Sequence, residues 1–301
     1  MAKPKETKDL IEKEFLTFPD IAADVINALL YQGKEVTKAE KLLAGPTESI
    51  YQGEEKLRNQ YEDLCKYEIA DGRIRLLYLI ANQSKPDGKM LLRKAGYIGG
   101  IYRQQYEKKM QELFPVIELI LYWGVPRWKG SCDSRRLFRK QKLSEKAWQY
   151  IDDLKLHVFE MRYLPKQTRD LFQSDMRIIV DFLAEGVCYR SDRKVIHKAA
   201  LIRMIGVLSG EPGTENVEAW MKEQKIKEEE ELTVCELFDQ YVRQGRNEGR
   251  IEGKNEGRAE GESRLAKLVQ LLIDSGRNEE LRKALSDQGY REQLYMEAGL
   301  P

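Results

Sequence analysis

Apolar and polar positions change period several times along this chain, and each change marks an element. Residues 8–16 place Leu10, Ile11, Phe15 and Leu16 at helical spacing, and residues 20–31 place Ile21, Ala22, Val25, Ile26, Leu29 and Leu30 on one side of a second helix. Asp20, after Pro19, is the expected N-cap of that helix, and Gly33 its expected stop. Residues 34–59 are polar and read as irregular, broken at Gly45-Pro46. Alternation over residues 61–69, the pair Asp71-Gly72 and the apolar run from Leu76 to Ile80 then predict a β-hairpin. That run is apolar on both faces, which places its strand inside a sheet. A helix is expected over 89–111, interrupted at Gly96 and Gly99-Gly100, with Tyr97, Tyr102 and Tyr106 packing on the sheet. Residues 114–123 read as another strand, closed by Gly124 and Pro126. Helix, hairpin, helix and strand in this order describe one α/β domain ending near residue 130.

From residue 143 the pattern turns helical, over 145–154, 168–186, 193–209 and 213–227. The acidic run at 228–231 reads as a solvated helix start or linker. Gly245, Gly249, Gly253, Gly257 and Gly261 then recur every four residues, with Glu before the last four and Arg or Lys after the first four. On a helix this period makes small, acidic and basic stripes that stack like charges at i,i+4. Five glycines cost a lone helix about 5 kcal/mol relative to alanine. The segment is therefore expected to be a flexible linker or a helix held by a second chain on the glycine stripe, and self-association is the expectation adopted. The domain boundaries expected are 8–130, 131–243 and 244–301, the last holding short helices stopped at Gly276 and Gly289.

Composition narrows the chemistry. Lys and Arg number 51 against 50 Asp and Glu, so bulk charge attracts neither DNA nor an acidic membrane, and any nucleic-acid contact needs a local basic patch. Such a patch exists at residues 127–142, where Arg127, Lys129, Arg135, Arg136, Arg139, Lys140 and Lys142 face only Asp133, with Trp128 and Phe138 among them. It reads as either a contact for a DNA backbone or a solvated connector. Cys65, Cys132, Cys188 and Cys235 lie far apart, with no zinc or iron–sulfur spacing, and fit a reducing cytoplasm. His157 and His197 are too few for a His-rich metal site. The charged start, Met1 to Glu6, is not a signal peptide, and no run of 18 apolar residues spans a membrane.

Carboxylates on the hairpin remain as candidates. Glu62 and Asp63 lie on its first strand, and Leu79-Ile80-Ala81-Asn82-Gln83 ends its second. Carboxylates on neighbouring strands, with an amide or cation beside them, suit a hard cation such as Mg²⁺. With Phe18-Pro-Asp-Ile-Ala-Ala-Asp24-Val-Ile-Asn27, Tyr61-Glu-Asp63, Met90-Leu-Leu-Arg93 and Tyr97, the strand at 115–123 and the glycine repeat, the chain resembles the PD-(D/E)XK nuclease superfamily. The branch it is similar to is that of recombination-promoting nucleases or putative transposases, and the likeness is clear over about residues 10–125. It implies an α/β restriction-endonuclease-like core followed by an all-helical C-terminal region. The activity implied is Mg²⁺-dependent hydrolysis of DNA, in genome recombination or phage defence. Asp63 would bind the metal, Asp24 would shape its site from the first helix, and Gln83 would stand where many members carry a lysine. DNA would be the partner, held by Arg127, Lys129, Arg135, Arg136 and Arg139.

The departure is Ala81, where the resemblance implies a second metal-binding Glu. Its loss implies an endonuclease that is silenced or impaired, by deliberate change or naturally. The rival is a DNA-binding or protein-interaction module that keeps the fold without the chemistry. A two-residue turn at Asp71-Gly72 would pair positions summing to 143, opposing Asp63 to Ile80 and Glu62 to Ala81. Asp63 reaches the face of position 81 only with an odd loop or a bulge, so Glu62 remains its competitor.

Overall fold

The alternating stretch folds as expected into an antiparallel pair, β4 (Leu64–Ala70) and β5 (Arg73–Gln83). Asp71 and Gly72 join them with φ of 52° and 74°, the doubly left-handed turn that Asp-Gly tolerates. β1 (Leu42–Ala44) pairs antiparallel with β4, and β6 (Val116–Tyr122) and β7 (Val158–Glu160) run parallel to β5, so the sheet order is β1-β4-β5-β6-β7. The computed structural model describes residues 4–45, 48–52, 57–61, 64–186, 189–210, 217–223, 225–227, 230–237 and 264–299.

Two layers cover the sheet. On one face lie α1 (Pro4–Thr17) and α2 (Pro19–Leu30), whose apolar sides bury Ile11, Phe15, Leu16, Ile21, Val25 and Ile26. The buried polar groups there are satisfied jointly. The Tyr78 hydroxyl donates to Glu68 Oε2 at 2.8 Å and lies 3.1 Å from Thr37 and 3.0 Å from Tyr31. Asn27 donates to the Thr37 carbonyl at 2.7 Å and accepts from its N–H at 2.9 Å, tying the end of α2 to the following loop. On the other face α3 (Met90–Glu107) sets Met90, Leu91 and Tyr97 against Cys65, Leu77, Leu79 and Ala81.

Several expectations need correction. Phe18, not Asp20, is the N-cap residue of α2, and Asp20 instead meets His197 Nε2 at 3.0 Å. Residues 34–59 contain β1 and a separate hairpin, β2 (Glu48–Gln52) with β3 (Leu57–Tyr61). Of the three tyrosines on α3 only Tyr97 is buried, while Tyr102 and Tyr106 are exposed. Steps of five and nine residues turn a helix by about 140° and 180°, so these rings cannot share Tyr97's face. The expected helix at 145–154 shrinks to α5 (Glu145–Trp148), after α4 (Ser134–Leu137). The stretch at 168–186 divides into α6 (Lys166–Arg169) and α7 (Met176–Glu185). β8 (Lys194–Val195) precedes α8 (Lys198–Ser209), α9 (Val217–Glu223) follows, and β9 (Leu232–Thr233) pairs with β8.

No break in packing falls at residue 130. β7 comes from beyond it and extends the sheet, and Arg203 of α8 pairs with Glu14 of α1 at 2.8 Å. Residues 1–234 form one compact unit, an α/β core completed by helices. Residues 235–301 form a second, in which helices over 264–274, Asn278–Ser286 and Gln288–Glu297 enclose Leu268, Leu272, Ala284, Leu294 and Tyr295. The glycine repeat at 245–261 lies outside the described residues. No helix among the described residues is long and apolar enough to cross a membrane.

Candidate functional site

The hairpin carries the bulge that the candidate site requires. Next to the turn, Ala70 pairs with Arg73 and Ile69 with Ile74, summing to 143, and beyond a shift at Glu68/Ile69 the pairs from Glu68↔Leu76 to Leu64↔Ile80 sum to 144. One extra residue on β5, Arg75, thus changes which positions of β4 share a face with Ala81. Glu62 and Asp63 lie outside the described residues. Ala81 is 3% exposed, enclosed by Met90 and Leu91 of α3, Ile120 of β6 and Leu156. Gln83 projects to the same face two residues on and is half-buried.

That face also holds a carboxylate outside the candidates read from the sequence. Glu118 of β6 lies two residues before Ile120 and is 1% exposed. Neither of its oxygens meets a hydrogen-bond donor among the described residues, and Lys94 Nζ stands 3.9 Å from Oε2. Burial pushes its pKa up from 4.5 to about 7, against the pull of Lys94 and then Arg93. Lys94 donates to the Lys155 carbonyl, and burial lowers its own pKa. A charged residue inside an apolar strand was the available signal.

Asp24 is not brought to this face. It sits on α2, across the sheet, where its oxygens accept from the N–H of Gln173 at 2.9 Å, the N–H of Ser174 at 2.8 Å and the Ser174 hydroxyl at 2.6 Å. Asp24 therefore tethers the entry to α7. Replacing Asp24 by Ala is expected to cost about 1–3 kcal/mol, since it strands two N–H groups, and to leave DNA affinity unchanged. Urea unfolding beside a binding titration checks both. Among the described residues no three His, Cys, Asp or Glu side chains converge as a cation site. With no oxygen at Ala81 and those of Asp24 taken, the described residues do not fit a divalent cation.

The basic segment divides in two. Arg127 pairs with Glu160 at 2.9 Å and lies over the Tyr163 ring, and Arg135 pairs with Glu145 at 3.0 Å and lies over Trp148. Both pair at the surface, with half or more of each arginine side chain exposed. Lys129, Arg136 and Arg139, joined by Lys140, instead line a cavity of about 480 Å³ and have no ion-pair partner among the described residues. Its walls are fixed locally. Asp133 caps α4 by accepting from the Arg136 N–H at 2.7 Å, the Cys132 carbonyl accepts from Leu156 N–H at 2.9 Å, and Glu160 Oε1 accepts from the Trp128 N–H at 2.7 Å. Trp128, Cys132, Leu137 and Val158 line this cavity and also pack on the cluster that holds Ala81. The basic cavity and position 81 are thus two sides of one apolar layer.

A family model described as "Putative transposase, YhgA-like" matches residues 6–200, a span that includes the hairpin, α3, the basic segment and α7. No curated protein and no solved structure matches the chain.

Proposed function

Because this chain belongs to the family of YhgA-like putative transposases, we propose that it is a DNA-phosphodiester nuclease by descent whose centre is impaired by Ala81. As it stands, it binds DNA and cuts it weakly or not at all. Asp63 and Gln83 are the residues assigned to the centre, a divalent cation is the cofactor of the intact ancestral centre rather than of what the described residues now form, and the glycine repeat joins copies of the chain. The observation that carries the proposal is the cavity of unpartnered cations backed onto the Ala81 cluster. It offers charge for a polyanion beside the position where the family likeness expects chemistry. The bulge at Glu68/Ile69 supplies the register that a role for Asp63 at position 81 requires.

Salt dependence tests DNA binding directly. Changing Arg136, Arg139 and Lys140 together to Ala is expected to flatten the plot of log affinity against log salt by about 2 to 3 units. Arg135→Ala, whose guanidinium is already held by Glu145, is expected to change affinity less than about twofold. Failure of the parent chain to bind duplex or single-stranded DNA at low salt would overturn the proposal. A second reading, a non-catalytic DNA-binding or protein-interaction module that keeps the nuclease fold, is favoured by the apolar cluster packed on Ala81. Restoring the carboxylate separates the two.

A further inference from the structure

The shape of the basic cavity says more than its charge. A protein that follows a continuous DNA backbone presents cations along an open groove, because successive phosphates lie in a row. Here Lys129, Arg136, Arg139 and Lys140 converge on one concavity of about 480 Å³. That volume lies in the range that encloses a small molecule, and one nucleotide unit is of this size. Trp128 and Leu137 supply apolar wall, and Ser131 supplies a hydroxyl. The carboxylate in the lining, Glu160, is engaged by the Trp128 N–H and by Arg127, and it makes no ion pair with any of the four cations.

We propose that this cavity receives the phosphorylated end of a DNA strand, seating one terminal nucleotide and its phosphomonoester. An internal phosphodiester carries one negative charge, whereas a terminal phosphate carries nearly two at neutral pH and exposes three oxygens. Two guanidiniums and two ammoniums around one concavity match the terminal group better, since arginine engages phosphate oxygens in pairs. Strand ends are therefore what this surface selects. The proposal rests on the DNA reading above and adds to it a preference for ends.

The test measures binding of the full chain to labelled single strands of one sequence bearing a 5′-phosphate, a 3′-phosphate or hydroxyls at both ends. One phosphorylated strand is expected to bind about tenfold more tightly than the hydroxyl strand. Arg136→Ala with Arg139→Ala is expected to weaken every strand and to bring that ratio to about one, the phosphorylated strand losing about tenfold more than the hydroxyl strand. Arg73→Ala, an exposed partner of Glu112 on β5, controls for loss of charge and is expected to keep the ratio. A deoxynucleoside 5′-monophosphate is expected to displace the phosphorylated strand at lower concentration than inorganic phosphate.

Equal binding of all three strands would overturn the preference for ends and leave DNA binding standing. A ratio that survives the double replacement would place the preference elsewhere and overturn the assignment to this cavity. Displacement by inorganic phosphate as effective as by the nucleotide would overturn the seating of a nucleotide. No binding of any strand would overturn this inference together with the DNA reading.

Discussion

Replacing Ala81 by Glu is expected to destabilise the chain by about 3–5 kcal/mol in the presence of a chelator, because it buries a carboxylate without a partner. Ala81 is 3% exposed among Met90, Leu91, Ile120 and Leu156, and Glu118 already brings an unsatisfied carboxylate to the same sheet face. A second negative charge there has two outcomes. If the pocket is nuclease-like, Mg²⁺ or Mn²⁺ gains an oxygen donor and stabilises the folded variant, by about 3 kcal/mol at a hundredfold excess over its dissociation constant. The parent chain is expected to show no such gain. Cleavage of plasmid DNA is expected to rise by about 10² in the variant over the parent, the scale of one electrostatic group in a reacting site. Ala81→Gln adds the same bulk without charge. It is expected to lose less stability, to ignore the cation and to leave DNA intact. A Glu variant that melts lower, ignores both cations and leaves plasmid intact would remove the nuclease proposal and leave the binding module.

How much of this was legible in the sequence depended on the range of the interactions. Alternation and a strong turn pair suffice for β4 and β5, because the Asp71-Gly72 turn and the burial of Leu76–Ile80 are local properties. α1, α2 and β6 follow from periodicity for the same reason. The bulge opposite Glu68/Ile69 left no mark, since its extra residue, Arg75, is ordinary in a strand, yet it decides which residues of β4 share a face with position 81. β7 is three residues long and sits in a segment that is helical in pattern on both sides. Its place is set by β6, some forty positions earlier. Charge suffered most. Arg127 and Arg135 look like their neighbours in sequence, and only the fold pairs them with Glu160 and Glu145 while setting Lys129, Arg136, Arg139 and Lys140 around the cavity. Asp24 likewise looks like any helix acid, and its bonds to Gln173 and Ser174, about 150 positions on, are set only by the fold.

Glu118→Gln is expected to make the chain more stable than the parent by a margin that grows with pH. Glu118 has its folded pKa raised to about 7 from 4.5 by burial, so the folded state holds this proton more tightly than the unfolded chain does. Below pH 4.5 both states are protonated and the group contributes its full share. Between the two values the unfolded chain releases the proton while the folded state keeps it, and stability falls as pH rises. Above about pH 7 the folded state carries a buried carboxylate opposed only by Lys94 and Arg93. The loss across that window is on the order of 3 kcal/mol. Glutamine removes it and leaves a constant amide in its place. His157 acts in the opposite sense, since burial and Lys94 hold its pKa below 6.5 and favour folding as pH rises past its titration. Lys94 is lowered from 10.5 by burial against the opposing pull of Glu118, so it changes with the substitution. The difference between the two curves therefore reports Glu118 together with its coupling to Lys94. Paired thermal melts from pH 4.5 to 8 are expected to diverge, reaching a plateau above pH 7. Parallel curves would mean that Glu118 is solvated or hydrogen-bonded in solution, and that the layer between position 81 and the basic cavity is wetter than the packing of Ile120, Leu156 and Met90 implies.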